Sequence, residues 1–198
     1  MRVDCQTASV TLENLVIENS ATVTGSTVNA VEVSEGSSLR LFGCTVDTRT
    51  YNCVKLRSGA MLIAKDSTFV AKNQYAVSAV NHSRFEVQDC KFEDDGVEAL
   101  AASGTIKGCD FFGDMGVAVA MPESKIEVSE SNFKAGKHAI TARQGGKVTS
   151  TNNVIDTFEV GVFVVANPNS QEGSQPGEIS LSKTQTVSYT HLTLPTKA

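Results

Sequence analysis

A repeat of about 22 residues restricts the fold of this chain more than any other feature of its sequence. The repeat is clearest in residues 83–103, SRFEVQDCKFEDDGVEALAAS, where Phe85 and Val87 alternate with polar residues and Cys90 and Phe92 do the same. A polar turn, EDDG, and a run of small residues follow. Period-two alternation, punctuated by turn residues, predicts three short β-strands in each repeat.

Two series of apolar residues recur with this period. The first series ends the second strand of each repeat and consists of Val28, Val46, Phe69, Phe92, Phe111, Phe133 and Val154. The second series lies in the third strand and consists of Val31, Val54, Val77, Leu100, Val119, Ile140 and Val162. Both series contract together between residues 92 and 119, as a deletion within one repeat requires. We therefore predict that the four phenylalanines of the first series form one continuous aromatic column.

A repeat this short cannot bury its apolar side chains alone, but stacked repeats pair each strand with its equivalents above and below. The sequence thus predicts an all-β fold, a single-stranded parallel β-helix of about seven turns, each of ~22 residues with three short strands. We assign residues 1–22 to an initial segment, 23–166 to the solenoid and 167–187 to a loop and the start of a further turn. No helical periodicity interrupts this pattern.

The closing residues 188–198, SYTHLTLPTKA, fit no column of the repeat. They resemble a peptide that results when adapter-derived nucleotides are translated at the end of an assembled read. We predict that they are a non-native tail and that the natural protein continues with other residues.

Charge and hydropathy exclude several classes of partner. The net charge is −5 and no stripe of Lys and Arg is present, so we expect no nucleic-acid partner. Apolar runs stay well below the roughly 20 residues of a transmembrane helix, so we expect no membrane span. The N-terminus has no apolar signal region, which predicts a cytoplasmic protein, or a secreted one if the N-terminus is incomplete.

The five cysteines are odd in number and lack Cys-x-x-Cys spacing, which argues against a zinc site; they are Cys5, Cys44, Cys53, Cys90 and Cys109. Cys44, Cys90 and Cys109 occupy one repeat position, and that position is elsewhere held by serine, at Ser26, Ser67 and Ser131. We interpret the cysteines as small buried packing residues. The alternative is that Cys90 and Cys109, on adjacent repeats, form a disulfide.

The pattern Val-x-x-Cys-x-Phe, a polar turn, then Gly-Val-x-Ala occurs at residues 87–92 and 96–99. It resembles the right-handed parallel β-helix proteins of the pectate-lyase-like superfamily, over about residues 10–166. That superfamily contains polysaccharide lyases, glycoside hydrolases, phage tailspikes, adhesins and non-catalytic modules. The resemblance therefore implies the architecture and leaves the activity open.

Asp94 and Asp95, in FEDDGVEA, are similar to the Gly-Asp-Asp-Cys-Ile-Ala segment of polygalacturonases. That likeness implies a general acid and base about a glycosidic bond. Glu93 and Gly96 replace the glycine and the cysteine of that segment, and the preceding turn has no aspartate for the third carboxylate. If the protein is an enzyme, the catalytic candidates are Asp94, Asp95 and Asp114.

Counting three residues past each member of the first series places four charged residues in one exposed column, at Arg49, Lys72, Asp95 and Asp114. A solvated ladder of ion pairs is the simplest interpretation. The alternative is a Ca²⁺ site formed by Glu93, Asp95 and Asp114; no other cofactor is expected.

The histidines and tyrosines are assigned to turns. His82 lies in the turn Asn81-His82-Ser83, which is also a glycosylation sequon if the protein is secreted. His138 shares a repeat position with chemically diverse residues, which favours a loop side chain. Tyr51 and Tyr75 are either stacking surfaces for a sugar or amphipathic cover.

Constant core positions and variable turns favour a non-catalytic β-helix scaffold that binds a protein or a polysaccharide. The alternative is a fragment of a polysaccharide lyase or a glycoside hydrolase, and a third hypothesis is a trimeric adhesin or tailspike segment. Each end of a solenoid exposes unpaired strand backbone, so we also expect self-association through an uncapped end.

Overall fold

A computed structural model describes residues 2–3, 8–19, 28–72, 74–134, 136–156, 158–165 and 176–187. All regular secondary structure in these ranges consists of β-strands. The predicted non-native tail at 188–198 lies outside the described residues, as do Cys5 and Ser26.

The strands form three parallel sheets, and successive strands along the chain pass from one sheet to the next. Sheet A consists of β1 (Arg2–Val3), β4 (Val31–Val33), β7 (Val54–Leu56), β10 (Val77–Val80), β13 (Val97–Leu100), β16 (Met115–Ala120), β19 (Gly136–Arg143) and β22 (Phe158–Val165). Sheet B consists of β2 (Ser9–Glu13), β5 (Ser38–Phe42), β8 (Met61–Lys65), β11 (Arg84–Gln88), β14 (Ser103–Lys107), β17 (Lys125–Ser129), β20 (Lys147–Thr151) and β23 (Glu178–Ser182). Sheet C consists of β3 (Val16–Asn19), β6 (Thr45–Thr48), β9 (Thr68–Ala71), β12 (Lys91–Asp94), β15 (Asp110–Phe112), β18 (Asn132–Phe133), β21 (Val154–Asp156) and β24 (Gln185–Val187).

This arrangement is a parallel β-solenoid, as the repeat predicts. Each turn of the coil contributes one strand to each sheet, and each strand pairs with its equivalents in the turns before and after it. The number of turns differs slightly from the predicted seven, because each sheet has eight strands.

The aromatic column is confirmed. Phe69, Phe92, Phe111 and Phe133 are paired in register in sheet C, and successive ring centroids lie 5.2, 4.6 and 4.7 Å apart with nearly parallel planes. The two ends of the predicted series were wrong. Val28 is exposed and lies outside the strands, and the residue aligned with Phe133 is the buried Ile155, one position after Val154.

The second apolar series is confirmed at five of its positions and wrong at two. In sheet A, Val97 and Val117 take the inward positions that the sequence assigned to Leu100 and Val119. The corner between sheets C and A contains residues 72–76 after β9 but only residues 95–96 after β12. In the later turns the third strand therefore begins fewer residues after the second strand, while the columns of side chains stay aligned.

A column of small residues follows the aromatic column where sheet C turns into sheet A. Its members are Ala30, Cys53, Ala76, Gly96, Gly116, Ala139 and Gly161. A Cβ atom on Gly96 would overlap the Gly116 carbonyl oxygen and would lie 2.8 Å from the Phe111 ring. The phenylalanine rings can therefore stack beside this corner only because the corner residues are small.

The corner between sheets B and C has two residues in every turn, and the first has a positive φ, between 51° and 65°. The residues at this first position are Asn14, Gly43, Asp66, Asp89, Gly108, Glu130, Asn152 and Lys183. Most are Gly, Asn or Asp, which reach the left-handed region at the lowest cost.

A ladder of small polar side chains fills the second position of this corner: Cys44, Ser67, Cys90, Cys109, Ser131 and Asn153. The backbone N–H of each residue donates to the side chain of the next, as from Cys44 to Ser67 Oγ at 3.1 Å and from Ser67 to Cys90 Sγ at 3.4 Å. The described cysteines are buried free thiols. Their interpretation as packing residues is confirmed, and Cys90 and Cys109 are not bonded to each other.

Candidate functional site

The acidic corner lies between β12 and β13, where Asp94 and Asp95 leave sheet C. Asp94 is exposed with φ 70°, and Asp95 is half-buried. The Met115 backbone N–H donates to Asp95 Oδ1 at 3.1 Å. A Cβ on Gly113 would overlap the Asp94 carbonyl, so the next turn packs tightly against this corner.

The electrostatics of the corner set Asp95 apart from its neighbours. Burial raises the pKa of Asp95, and the nearby negative charges of Asp114 and Asp94 raise it further, against the lowering effects of the Met115 N–H and of Lys137. Asp114 Oδ2 forms an ion pair with Lys137 Nζ at 3.1 Å, and this contact raises the pKa of Lys137. The negative charges of two neighbouring aspartates thus act on Asp95, and one lysine lies beside them.

The corner has only part of the chemistry that its sequence suggests. Glu93 forms its own ion pair with Lys91, at 2.6 Å. Within the described ranges, no three His, Cys, Asp or Glu side chains are grouped so that they could hold a metal ion. The calcium alternative at Glu93, Asp95 and Asp114 stays a prediction.

Of the four residues of the predicted charge ladder, Asp114 forms an ion pair, and its partner is a residue that the sequence reasoning missed. Arg49, Lys72 and Asp114 are exposed, and Asp95 is half-buried. The cation that pairs with Asp114 is Lys137, in the following turn, whose backbone N–H also donates to the Asp114 carbonyl at 3.0 Å. Lys137 lies four residues past Phe133, whereas the count of three that defined the ladder reaches Gly136, so an offset of one residue hid Lys137.

His138 is not a loop residue, contrary to its repeat position. It lies in β19, half-buried, with its ring stacked on Phe163 at 5.0 Å. Its Nδ1 atom lies 3.3 Å from Met115 Sδ. The turn assignment of His82 is confirmed, because His82 is exposed with φ 63°.

The outer face of sheet A carries a chain of hydrogen bonds that was also missed. Lys55 Nζ donates to Ser78 Oγ at 2.8 Å, and Ser78 Oγ donates to Glu98 Oε2 at 3.1 Å. Burial lowers the pKa of Lys55, and a lysine of lowered pKa beside a serine hydroxyl is one way to activate a nucleophile. Ser78 is only 1% exposed, however, so no substrate reaches its hydroxyl.

Tyr75 lies near the same chain and is half-buried rather than presented to solvent. Burial, with the charge of Glu98 as a smaller cause, raises the pKa of Tyr75 to about 12. The phenol is therefore neutral at pH 7. Its predicted role as a sugar-stacking surface remains a prediction.

A groove crosses the outer face of sheet B, and we call it the sheet B groove. Its floor is formed by Ser103, Gly104 and Thr105 of β14, and it has a volume of about 380 Å³. One wall consists of Arg84 and Glu86 from β11, and the other consists of Lys125 and Glu127 from β17.

The groove exists because one turn has small outward side chains between two turns with long ones. Strand register aligns Arg84 with Ser103 and Lys125, and it aligns Glu86 with Thr105 and Glu127. At the inward position between them, a Cβ on Gly104 would overlap the Phe85 ring. The triplet Ser-Gly-Thr, set among strands with charged outward residues, is the sequence signal that could have located this groove.

The four wall residues are exposed, and they do not form ion pairs as other charged side chains of the described residues do. In the part of the chain that is described, Arg84, Glu86, Lys125 and Glu127 have no oppositely charged partner within 4.0 Å. By contrast, Lys147 pairs with Glu178 at 2.7 Å and Lys107 pairs with Glu130 at 3.5 Å.

These features define a parallel β-solenoid with polar surface sites and a largely apolar interior. The family of the right-handed β-helix region matches residues 6–172, and the chain belongs to this family. No curated protein and no solved structure matches the chain. The described residues include no helix of the length and apolar character that a membrane span needs.

Proposed function

We propose that this β-helix is a non-catalytic recognition module and that the sheet B groove binds its partner, a polysaccharide or a protein. One observation carries the proposal: two walls of charged side chains, without ion-pair partners among the described residues, flank a floor of small residues that includes two hydroxyl groups. The groove volume of about 380 Å³ is within the range of about 300–1,000 Å³ that is usual for ligand sites.

The backbone under the groove supports a binding role. The floor and both walls lie on paired strands of one sheet, and Phe85 and Ile126 are packed beneath them. The backbone of these paired strands is fixed before a ligand arrives, so binding orders the wall side chains without also ordering the chain beneath them.

The acidic corner offers weaker support for catalysis. Asp114 is engaged by Lys137, and Asp95 accepts a hydrogen bond from the Met115 backbone. A glycosidase requires two carboxyl groups that face one bond, one as acid and the other as nucleophile or base. Contacts within the fold already occupy two of the three candidates.

The test is partner binding by two multiple variants. The chain would be assayed against a polysaccharide array and by crosslinking to protein partners, as wild type, as Arg84→Ala/Glu86→Ala/Lys125→Ala/Glu127→Ala and as Asp94→Ala/Asp95→Ala. We expect the groove variant to lose binding and the corner variant to keep it within about twofold. The proposal fails if the corner variant loses binding while the groove variant keeps it.

A polysaccharide-active enzyme fragment is the second candidate, and one observation favours it. The raised pKa of Asp95, beside Asp94 and Asp114, is a property of carboxyl groups that act as general acids. Release of reducing or unsaturated ends from polysaccharides, abolished by Asp94→Asn and by Asp95→Asn, would establish this candidate. Absence of turnover, with intact binding in the groove, would favour the recognition module.

A further inference from the structure

We infer that the sheet B groove binds a zwitterionic group, with its anion between Arg84 and Lys125 and its cation between Glu86 and Glu127. The inference rests on the proposed function of the groove and names the chemistry of its ligand. It follows from the order of charges on the two walls.

Charges of the same sign face each other across the groove. Arg84 and Lys125 are aligned through Ser103, and Glu86 and Glu127 are aligned through Thr105. Neighbouring strands lie about 4.8 Å apart, so the Cα atoms of each same-sign pair lie roughly 10 Å apart. Opposite charges on neighbouring strands of a sheet are stabilising, and like charges directly opposite each other are destabilising. Here the small residues of β14 leave a space between the like charges, and that space favours an ion of the opposite sign.

The floor offers a hydroxyl at each of the two positions. Ser103 lies midway between the cations, and Thr105 lies midway between the anions. A hydroxyl group is both donor and acceptor. The Ser103 hydroxyl can therefore donate to a bound carboxylate or phosphate, and the Thr105 hydroxyl can accept from a bound ammonium group.

The distance between the two positions sets the length of the ligand. Ser103 and Thr105 are two residues apart on β14, which corresponds to about 7 Å along a strand. A ligand that satisfies both positions carries its charges about 7 Å apart, which is the separation across a chain of four methylene groups. An α-amino acid headgroup alone is too short for this.

The charge pattern ends at the borders of the groove. The column of Arg84 and Lys125 continues to Lys147, but Lys147 is already paired with Glu178. On the other side the equivalent residues are Met61 and Ile63, which carry no charge. The site is thus confined to three successive turns of the coil, those that contribute β11, β14 and β17.

The experiment is an NMR titration of the full chain, labelled with ¹⁵N, with 5-aminopentanoate as the probe. We expect saturable shifts of the Ser103 and Thr105 amides, and weaker binding as salt is added. Pentanoate and pentylamine each carry one of the two charges, and glycine carries both at short separation; all three should bind at least about tenfold more weakly, since each loses one pair of charge contacts.

Two variants localise the effect. Arg84→Gln/Lys125→Gln should weaken binding of 5-aminopentanoate at least about tenfold, whereas Lys107→Gln, which removes an exposed lysine of the same sheet, should change it less than about twofold. Both are outward substitutions, and their melting temperatures would confirm that the fold is intact.

The possible results separate this inference from the proposed function. Equal affinity for pentanoate and 5-aminopentanoate, or shifts that Arg84→Gln/Lys125→Gln leaves unchanged, would overturn the zwitterion inference. The proposed function stands even then if the quadruple alanine variant of the groove still loses binding of its polysaccharide or protein partner. If the groove variant keeps its partner as well, both fail.

Discussion

Phe111 and Phe112 are neighbours in the chain but lie on opposite faces of sheet C. Phe111 is 1% exposed and stacks between Phe92 and Phe133. Phe112 is half-buried on the outer face, where Lys91 and Lys134 lie over its ring at 5.2 and 4.7 Å from the centroid. One strand therefore contributes one ring to the core and one ring to the surface.

We predict that Phe111→Ala lowers the free energy of unfolding by about 3–5 kcal/mol, because it leaves a cavity and removes two stacked ring pairs. Phe112→Ala should lower it by only about 1–2 kcal/mol, since it removes part of a half-buried ring and two cation–π contacts. Urea unfolding of both variants measures this. Equal losses would contradict the assignment of the two rings to opposite faces.

The pKa of Asp95 yields a second prediction at this scale. Because burial raises it above the ordinary aspartate value, the folded chain holds the Asp95 proton more tightly than the unfolded chain does. Asp95 therefore favours folding at low pH, and this contribution is lost as pH rises through the raised pKa. We therefore compare Asp95→Asn with wild type at two pH values. The melting temperature of Asp95→Asn, minus that of wild type, should be higher at pH 7 than at pH 4.

The measurement is the melting temperature of wild type and Asp95→Asn across that pH range. Asp114→Asn is the comparison background, because it removes one of the negative charges that raise the pKa of Asp95. In that background the effect of Asp95→Asn should depend less on pH. A gain in the stability of Asp95→Asn relative to wild type as the pH is lowered would contradict the direction of the shift.

At the scale of elements, strand content and the aromatic column could be predicted from the sequence, but strand register could not be predicted everywhere. The predicted second series placed Leu100 and Val119 in the column that Val97 and Val117 occupy. The distance from the second strand to the third is not constant along the chain, because the corner between sheets C and A shortens in those turns. A shorter corner moves the next strand along the chain, and the small-residue column at Gly96 and Gly116 marks where it begins.

The groove and the ion pair of Asp114 could not be predicted, because both depend on neighbours in other turns. Ser103 is unremarkable within its own strand, and it becomes the floor of a groove only beside Arg84 and Lys125. Lys137 likewise pairs with Asp114 only when two turns are aligned. Surface sites of a solenoid thus require the register that the sequence left uncertain.

The two-residue corner between sheets B and C supplies the prediction for this scale. Asp89 has φ 52° there, and Gly43 and Gly108 occupy the same position in other turns. We expect Asp89→Gly to leave stability within about 0.5 kcal/mol of wild type, and Asp89→Val to cost about 1–2 kcal/mol, because a β-branched residue is strained in the left-handed region. Thermal unfolding would show the difference, and a well-tolerated valine would contradict it.

The whole molecule is close to one-dimensional, because each turn contacts mainly the turns before and after it. Within sheet B, β2 and β23 contain no fully buried side chain, whereas β11 alternates buried Phe85 and Val87 with exposed residues. The central turns therefore have apolar neighbours on both sides, and the outer described turns have fewer.

Hydrogen exchange should follow this gradient. We predict that amides of β11 exchange at least about tenfold more slowly than those of β2 and β23, since local opening is easier where few apolar contacts are broken. Exchange measured by mass spectrometry would test it. Uniform protection along the chain would show that the solenoid opens only as a single unit.

The central claim is that side chains from successive turns lie directly over one another. It is tested most directly by nuclear Overhauser contacts among the phenylalanine rings of a selectively labelled chain. With centroids 5.2, 4.6 and 4.7 Å apart, we predict contacts between Phe69 and Phe92, Phe92 and Phe111, and Phe111 and Phe133, and none between Phe69 and Phe133. Missing contacts between successive rings, or a direct contact between the two outer ones, would contradict the stacked solenoid.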